Sequence, residues 1–506
     1  MKRYLYLTHR WLGIVLCLFM AMWFFSGVVM MYVGYPKLST AERLVRLPAL
    51  WMHDPIIEMK AALAATGQEG APKEARLTTV ADSPRYIFSY GKGRYVAVDA
   101  RSGQRINSVS QAAAVTAAAA LAKGAVHYLD QVDEDAWTHS KALDGHRPLH
   151  RVQVEDDNAT LLYISSSTGE VVRDATRTER AWNWVGAWIH WLYPFRGGIV
   201  DRQWSNIVIY TSLIATILAV TGLVVGVLRW RFTGRYKNAS HSPYRESFMR
   251  WHHLAGLVFG ALAVTWIFSG MMSMNPWKLF DSGRQPLALE AYSGGKIEPA
   301  RFAVDIRAQC ERLRAEGFQA REIEWRMFAG TGFLLATDAT GQTRLISPSA
   351  AEPPLAMLPM DSLAVTGARL LPGVRIVEQQ IVTQYDFHYY GRAPHTMTGH
   401  VEKHLPVLRL KFDDEHHTWV HLDPYTAQVV GISDSYRRVD RVLFAFLHSW
   451  DWLPLLQHRP VWDGLLVLGS IGGFAMSLTG VVIGWRRLRR KLVFKKDRML
   501  GMVEVR

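Results

Sequence analysis

The sequence predicts a membrane α-helical four-span bundle, built as a parallel tandem repeat and carrying two α+β domains outside the bilayer. Three observations carry that prediction: four uncharged apolar runs, two long polar stretches between them, and a self-match of the chain at a near-constant offset. The runs are Trp11–Val33, Trp204–Leu228, Leu254–Trp277 and Leu465–Trp485. Each reaches the roughly 20 residues that a helix needs to cross a hydrocarbon core of about 30 Å. The stretches between them have ordinary globular composition, which is why a chain that is 49% hydrophobic has a mean hydropathy near zero. The first run follows Lys2, Arg3 and Arg10 as a signal peptide would. It is longer than a signal h-region and no A-x-A-like site follows it, so it reads as a retained span.

The formal net charge of +14 is unevenly placed. The residues up to Arg10, the segment Arg229–Arg250 and the tail from Arg486 hold all of the excess, and the rest of the chain is close to neutral. In a four-span layout these three segments share one side, and the positive-inside rule makes that side the cytoplasm. Both termini are then cytoplasmic, and both long loops face the periplasm of a bacterial inner (cytoplasmic) membrane. Topology accounts for the basic charge, so no nucleic-acid partner is called for; membrane lipid is the partner it implies. The two cysteines, Cys17 and Cys310, fall in different compartments and form no disulfide framework.

The expected divisions follow. Residues 1–33 form the first span, 34–181 the first periplasmic domain, 182–231 an interfacial segment with the second span, and 232–250 a basic cytoplasmic loop. Residues 251–277 form the third span, 278–439 the second periplasmic domain, 440–486 an interfacial segment with the fourth span, and 487–506 a basic tail. An offset of 243 lays the third span on the first, matching His9, Gly13, Trp23, Phe25, Ser26 and Gly27 with His252, Gly256, Trp266, Phe268, Ser269 and Gly270. An offset of 258 matches His146, Pro148 and Arg151 with His404, Pro406 and Arg409. It also matches His190, Trp204, Thr221 and Gly222 with His448, Trp462, Thr479 and Gly480. Both halves run in the same direction, so an axis along the membrane normal relates them.

Four β-rich runs broken by turn residues read as hairpins: Tyr95–Ile106, Leu161–Val172, Phe333–Ile346 and Thr418–Val430. The alanine-rich stretch Gln111–Lys123 reads as a helix. The hairpin containing Trp419-Val420-His421-Leu422-Asp423-Pro424-Tyr425-Thr426 resembles the end of a PepSY domain. The spans, with H-x3-G…F-S-G and L-T-G…G-W, resemble the PepSY-associated transmembrane family of iron-regulated bacterial membrane proteins. Ala427 stands where that hairpin usually has Gly, and Ser165-Ser166 replace its Asp-Pro. The resemblance implies PepSY-like periplasmic domains and, from the siderophore-iron reductases within the family, two haems in the cytoplasmic membrane.

The histidines carry the expected chemistry. His9 and His252, with His253 beside it, open the first and third spans, while His190 and His448 precede the second and fourth. Bundles build cofactor sites from side chains on facing helices, and two neutral imidazoles suit a haem iron. With no C-x-x-C-H motif, only non-covalent haem b is allowed. His9, His252, His190 and His448 are the expected iron ligands, with His252 preferred to His253 because it matches His9. Gly13 and Gly256 follow one turn later and leave room for a ring edge. Arg10, Arg180, Arg229, Arg250 and Arg438 are expected near propionates. A single histidine beside Trp and Arg at a membrane boundary is an ordinary interfacial anchor. From spacing alone, anchoring and haem ligation both fit, and the resemblance decides for two haems.

A second cluster runs from His388 through His395, His400, His404, His416 and His417 to His421. His400 and His404 make a possible periplasmic metal site. Pro406 and the strand-like Val407-Leu408-Arg409-Leu410 disfavour the shared helix face it needs, so a solvated polar loop is the preferred reading. No phosphate-binding loop, dinucleotide fingerprint or nucleophile elbow occurs. The expected function is transmembrane electron transfer, from a quinol or a cytosolic reductase to a periplasmic ferric chelate or siderophore, making the protein a haem-dependent ferric reductase. The competing readings are a non-enzymatic PepSY protein that binds a periplasmic partner such as a peptidase, and a metal-binding component of metal uptake.

Overall fold

The computed structural model of the chain describes residues 2–50, 55–196, 198–302, 304–349, 352–396, 399 and 401–499. The chain divides into two compact units. One comprises Met1–Gly34, Trp182–Ser282 and Tyr436–Arg506, and the other Tyr35–Ala181 and Gly283–Ser435.

The first unit is built on four long helices: α1 (Lys2–Tyr32), α2 (Trp204–Arg229), α3 (Ser247–Met272) and α4 (Val461–Met499). All four are long and apolar enough to cross a membrane. Each has two packed neighbours, α1 and α3 both lying against α2 and α4. Leu16, Met20, Phe24, Leu218, Ala263 and Trp266 form the shared interior. Val15, Leu18, Val258, Leu468 and Ile471 stay exposed, as expected of helices that are apolar all round and meet lipid. Small residues set the close approaches. A Cβ on Gly472 or Gly473 of α4 would come within 2.4–2.5 Å of the Phe259 or Phe24 ring.

Two shorter segments bring the chain back to this unit. The helix Arg177–Asn183 runs into a π-helical turn at Trp184–Trp188, and Ser435–Arg441 into another at Val442–Phe446. Gly186 leaves helical geometry there, and a Cβ on it would meet Val29 at 2.9 Å. Leu192 and Trp450, both in the left-handed region, end these segments. The indole of Trp204 then donates to the Trp191 carbonyl (2.8 Å), and that of Trp462 to the Ser449 carbonyl (3.0 Å), which ties each segment to the helix that follows.

Among the described residues the second unit holds three antiparallel sheets. One has seven strands in the order 343–346, 331–338, 320–328, 74–80, 83–89, 95–99 and 105–106. The other two have four each, 126–132 to 171–175 and 376–382 to 429–433, in sequential order. The four hairpins and the helix Gln111–Leu121 form where the sequence places them. Alanine, the best helix former, supplies the buried face of that helix through Ala114, Ala117 and Ala118 against Val152, Leu162 and Ile164. Ala427 takes the left-handed conformation (φ 60°), as Gly169 does at the matching turn (φ 77°).

The strand Glu74–Val80 of the first loop pairs with Ala320–Phe328 of the second, Leu77 opposite Ile323, so a single sheet runs through both loops. A buried ion network lies beside that seam. Glu322 accepts from Arg43 (2.7 Å to Oε2) and from Arg76 (2.8 Å), and Arg76 also reaches Glu170. Burial pushes the Glu322 carboxyl upward, but the two guanidinium groups outweigh it and hold it down at about 2. Local patterning shows only that each strand exists; pairing across more than 240 residues is a tertiary outcome.

Candidate cofactor site

The four paired histidines meet two by two inside the helical unit. On α1 and α3, His9 and His252 face one another with ring centres 6.2 Å apart and planes inclined by 34°. His190 and His448, each at the end of its π-helical segment, repeat the separation at 6.2 Å with planes inclined by 69°. An ion bonded at about 2 Å to one nitrogen of each of two imidazoles sets their centres about 6 Å apart.

Which nitrogen is available follows from the hydrogen bonds. His9 Nδ1 lies 3.3 Å from the Leu218 carbonyl of α2, and His252 Nδ1 lies 2.9 Å from the Met476 carbonyl of α4. A carbonyl can only accept, so each Nδ1 carries the proton and each Nε2 keeps its lone pair. His252 Nδ1 also lies 3.2 Å from the Thr479 hydroxyl, and hydroxyls accept at the second pair as well. Ser26 donates its own proton to the Met22 carbonyl (2.7 Å) and therefore accepts from His190 Nδ1 (2.9 Å). Ser269 donates to the Trp266 carbonyl (3.0 Å) and accepts from His448 Nδ1 (3.1 Å). That same Trp266 carbonyl also lies 3.1 Å from His448 Nδ1.

His253 differs. Its Nε2 donates to the Gly226 carbonyl (2.8 Å) and its Nδ1 bonds Ser242 (2.8 Å), so both nitrogens are engaged in pinning the 230–246 loop to the end of α2. His252, not His253, meets His9.

A cavity of about 820 Å³ adjoins the first pair, within the roughly 300–1,000 Å³ of cofactor sites. His9, His252, Gly13 and Gly256 line it together, and nothing comes nearer than 3.6 Å to a Cβ built on either glycine. Of the arginines expected near propionates, Arg10 and Arg229 line the cavity, joined by Arg3 and Arg487. Arg250 is not among its lining residues, Arg180 donates to the Ala159 and Ala175 carbonyls, and Arg438 sits on the helix Ser435–Arg441. Histidine pairs, cavity and basic lining together fit haem b: four Nε2 lone pairs in two facing sets, room for a macrocycle at the first, and cations for its carboxylates.

Sequence reasoning passed over the cradle residues. A Cβ on Gly222 would stand 2.7 Å from His9, and one on Gly480 would stand 3.3 Å from His252 and 2.6 Å from Cys17. Gly27 and Gly270 hold the same place beside His190 and His448. The signal was present in F-S-G, which occurs twice, and in the matched Thr221-Gly222 and Thr479-Gly480, read there as family and repeat marks and not as a hydroxyl-glycine seat for an imidazole.

The histidine-rich stretch is a different kind of structure. His400 lies outside the described residues. His404 lies 3.0 Å from the Asp423 carboxylate and 3.4 Å from Glu402. Those two carboxylates hold its imidazolium charged, with a pKa raised to about 10. The solvated-loop reading fails at His421, which is buried under Tyr389 (ring centres 4.8 Å apart) and accepts from Arg409 Nε at 2.8 Å. Burial, with Arg409 beside it, pushes its pKa down to about 3. Among the described residues no group of three or more His, Cys, Asp or Glu side chains is set to hold a metal ion.

Fold and site together define a class: a four-helix membrane bundle with facing histidine pairs, joined to a unit of β-sheets. Residues 6–309 match the family model of the PepSY-associated TM region. That is more than half of the chain, which therefore belongs to this family. No curated protein matches it.

Proposed function

We propose that this chain is a di-haem b electron-transfer protein of the bacterial inner membrane. It carries electrons from the cytoplasmic side, where both termini lie, to a ferric siderophore or another ferric chelate in the periplasm, and so acts as a ferric reductase. The single observation behind this reading is the set of four histidines whose Nδ1 protons are all committed, leaving four Nε2 lone pairs in two facing pairs. His9 and His252 would hold one haem and His190 and His448 the other, and each pair draws one ligand from each half of a tandem repeat. Bound haem supplies reversible one-electron carriage between ferric and ferrous iron.

The remaining work falls to the protein's own groups. The carbonyls and serines orient the imidazoles, the glycines admit them, and Arg10 and Arg229 offer charge to the carboxylates of the first site. Phe24 and Trp266, with ring centres 6.0 Å apart, exclude water from the interior. Reducing Fe(III) to Fe(II) weakens its bonds to hard oxygen donors and loosens the chelate. The electron donor is a quinol or a cytosolic reductase.

The test is the absorption spectrum of the detergent-purified chain, oxidised and dithionite-reduced, with haem counted per chain. Two b-type haems, reduced to one by His9→Ala or by His190→Ala, is the expected result. Colourless protein from haem-replete cells overturns the reading.

A further inference from the structure

Hydroxyls help to hold Nδ1 at these histidines, with a consequence for redox potential. At the first pair the acceptors are the Leu218 and Met476 carbonyls, with the Thr479 hydroxyl 3.2 Å from His252 Nδ1. At the second pair each imidazole has its own serine, Ser26 or Ser269, both fully buried on the apolar helices α1 and α3. Each serine hydroxyl is itself polarised by donating to a carbonyl of its own helix, at 2.7 Å and 3.0 Å. A hydrogen bond from the far nitrogen of a ligating imidazole fixes its tautomer and raises its basicity as a ligand. Greater basicity favours the ferric state.

Resting on the di-haem reading, we infer that Ser26 and Ser269 are positioning residues that set the potential of the haem held by His190 and His448. They act through the imidazoles and leave the His9/His252 site untouched. Each imidazole also has a backbone acceptor three residues before its serine, the Trp266 carbonyl for His448 (3.1 Å) and the Trp23 carbonyl for His190. Ser26→Ala and Ser269→Ala therefore each raise the potential of the same haem, and Ser26→Thr, which keeps the hydroxyl, restores it.

The experiment is a spectroelectrochemical titration of the purified full-length chain and these three variants, after haem has been counted. The expected result is the same one potential shifted upward in Ser26→Ala and in Ser269→Ala, unshifted in Ser26→Thr, with the other potential unmoved throughout. Loss of one haem from Ser26→Ala, with both retained in Ser26→Thr, supports the same role. Two haems with both potentials unchanged, or both shifted together, overturns the inference. A wild-type chain without haem instead overturns the reading on which it rests, so the two failures are distinguishable.

Discussion

An imidazole has two nitrogens, and the partner of one decides what the other can do. His252 and His253 are adjacent in sequence and differ only in this respect: the first leaves Nε2 open beside His9, and the second donates from Nε2 to Gly226. The two substitutions therefore separate. His252→Ala should halve the haem per chain, while His253→Ala should keep both haems and loosen the 230–246 loop. Loss of a buried hydrogen-bonding group of this kind costs about 1–3 kcal/mol. Haem quantification with hydrogen exchange over that loop distinguishes them, and equal haem loss in both variants contradicts the assignment.

Glycines and ion pairs act at the scale of elements, where they decide how closely two helices or strands meet. Gly222→Ala places a Cβ 2.7 Å from His9, so either α2 or the ring must shift. The expected outcome is at least a severalfold loss of haem retention at the first site alone, read by haem titration of the apoprotein, with Gly464→Ala, where a Cβ meets nothing, as control. Between strands, Glu322 carries the equivalent load. Removing one partner of a buried ion network costs about 3–5 kcal/mol, and Glu322→Gln should lower the stability of the sheet unit on that scale. The sign with pH follows from a carboxyl held at about 2 in the fold against about 4.3 unfolded. Its contribution is complete above pH ~4.3 and is lost as the pH falls towards 2. Thermal unfolding of the wild type should steepen across that window, and the Gln variant should show a smaller acid loss.

For the whole molecule, neither half is self-sufficient. Each histidine pair takes one member from each half, and the seven-stranded sheet is closed by strands from both loops. A fragment ending within the 230–246 loop would carry half of each pair, and Arg43 and Arg76 would lack Glu322. Such a fragment should bind neither haem and should aggregate through its unpaired strand edge. The two halves expressed together should co-purify with haem restored, and a first half that binds haem alone would contradict the pairing.

By itself the sequence determined what local chemistry determines. Apolar length marked the four spans, turn residues marked the hairpins, alanine marked the helix at Gln111–Leu121, and the matched positions marked His9, His252, His190 and His448. These are properties of a residue and its near neighbours along the chain. The tertiary structure decided whatever depends on partners distant in sequence. It separated His252 from His253 by their acceptors, seated the rings on Gly222 and Gly480, buried His421 under Tyr389, and ran one sheet through two loops. The physical reason is common to all four. A hydrogen-bond partner, a steric allowance and a strand neighbour are set by another segment, and that segment's place is fixed only when the whole chain packs.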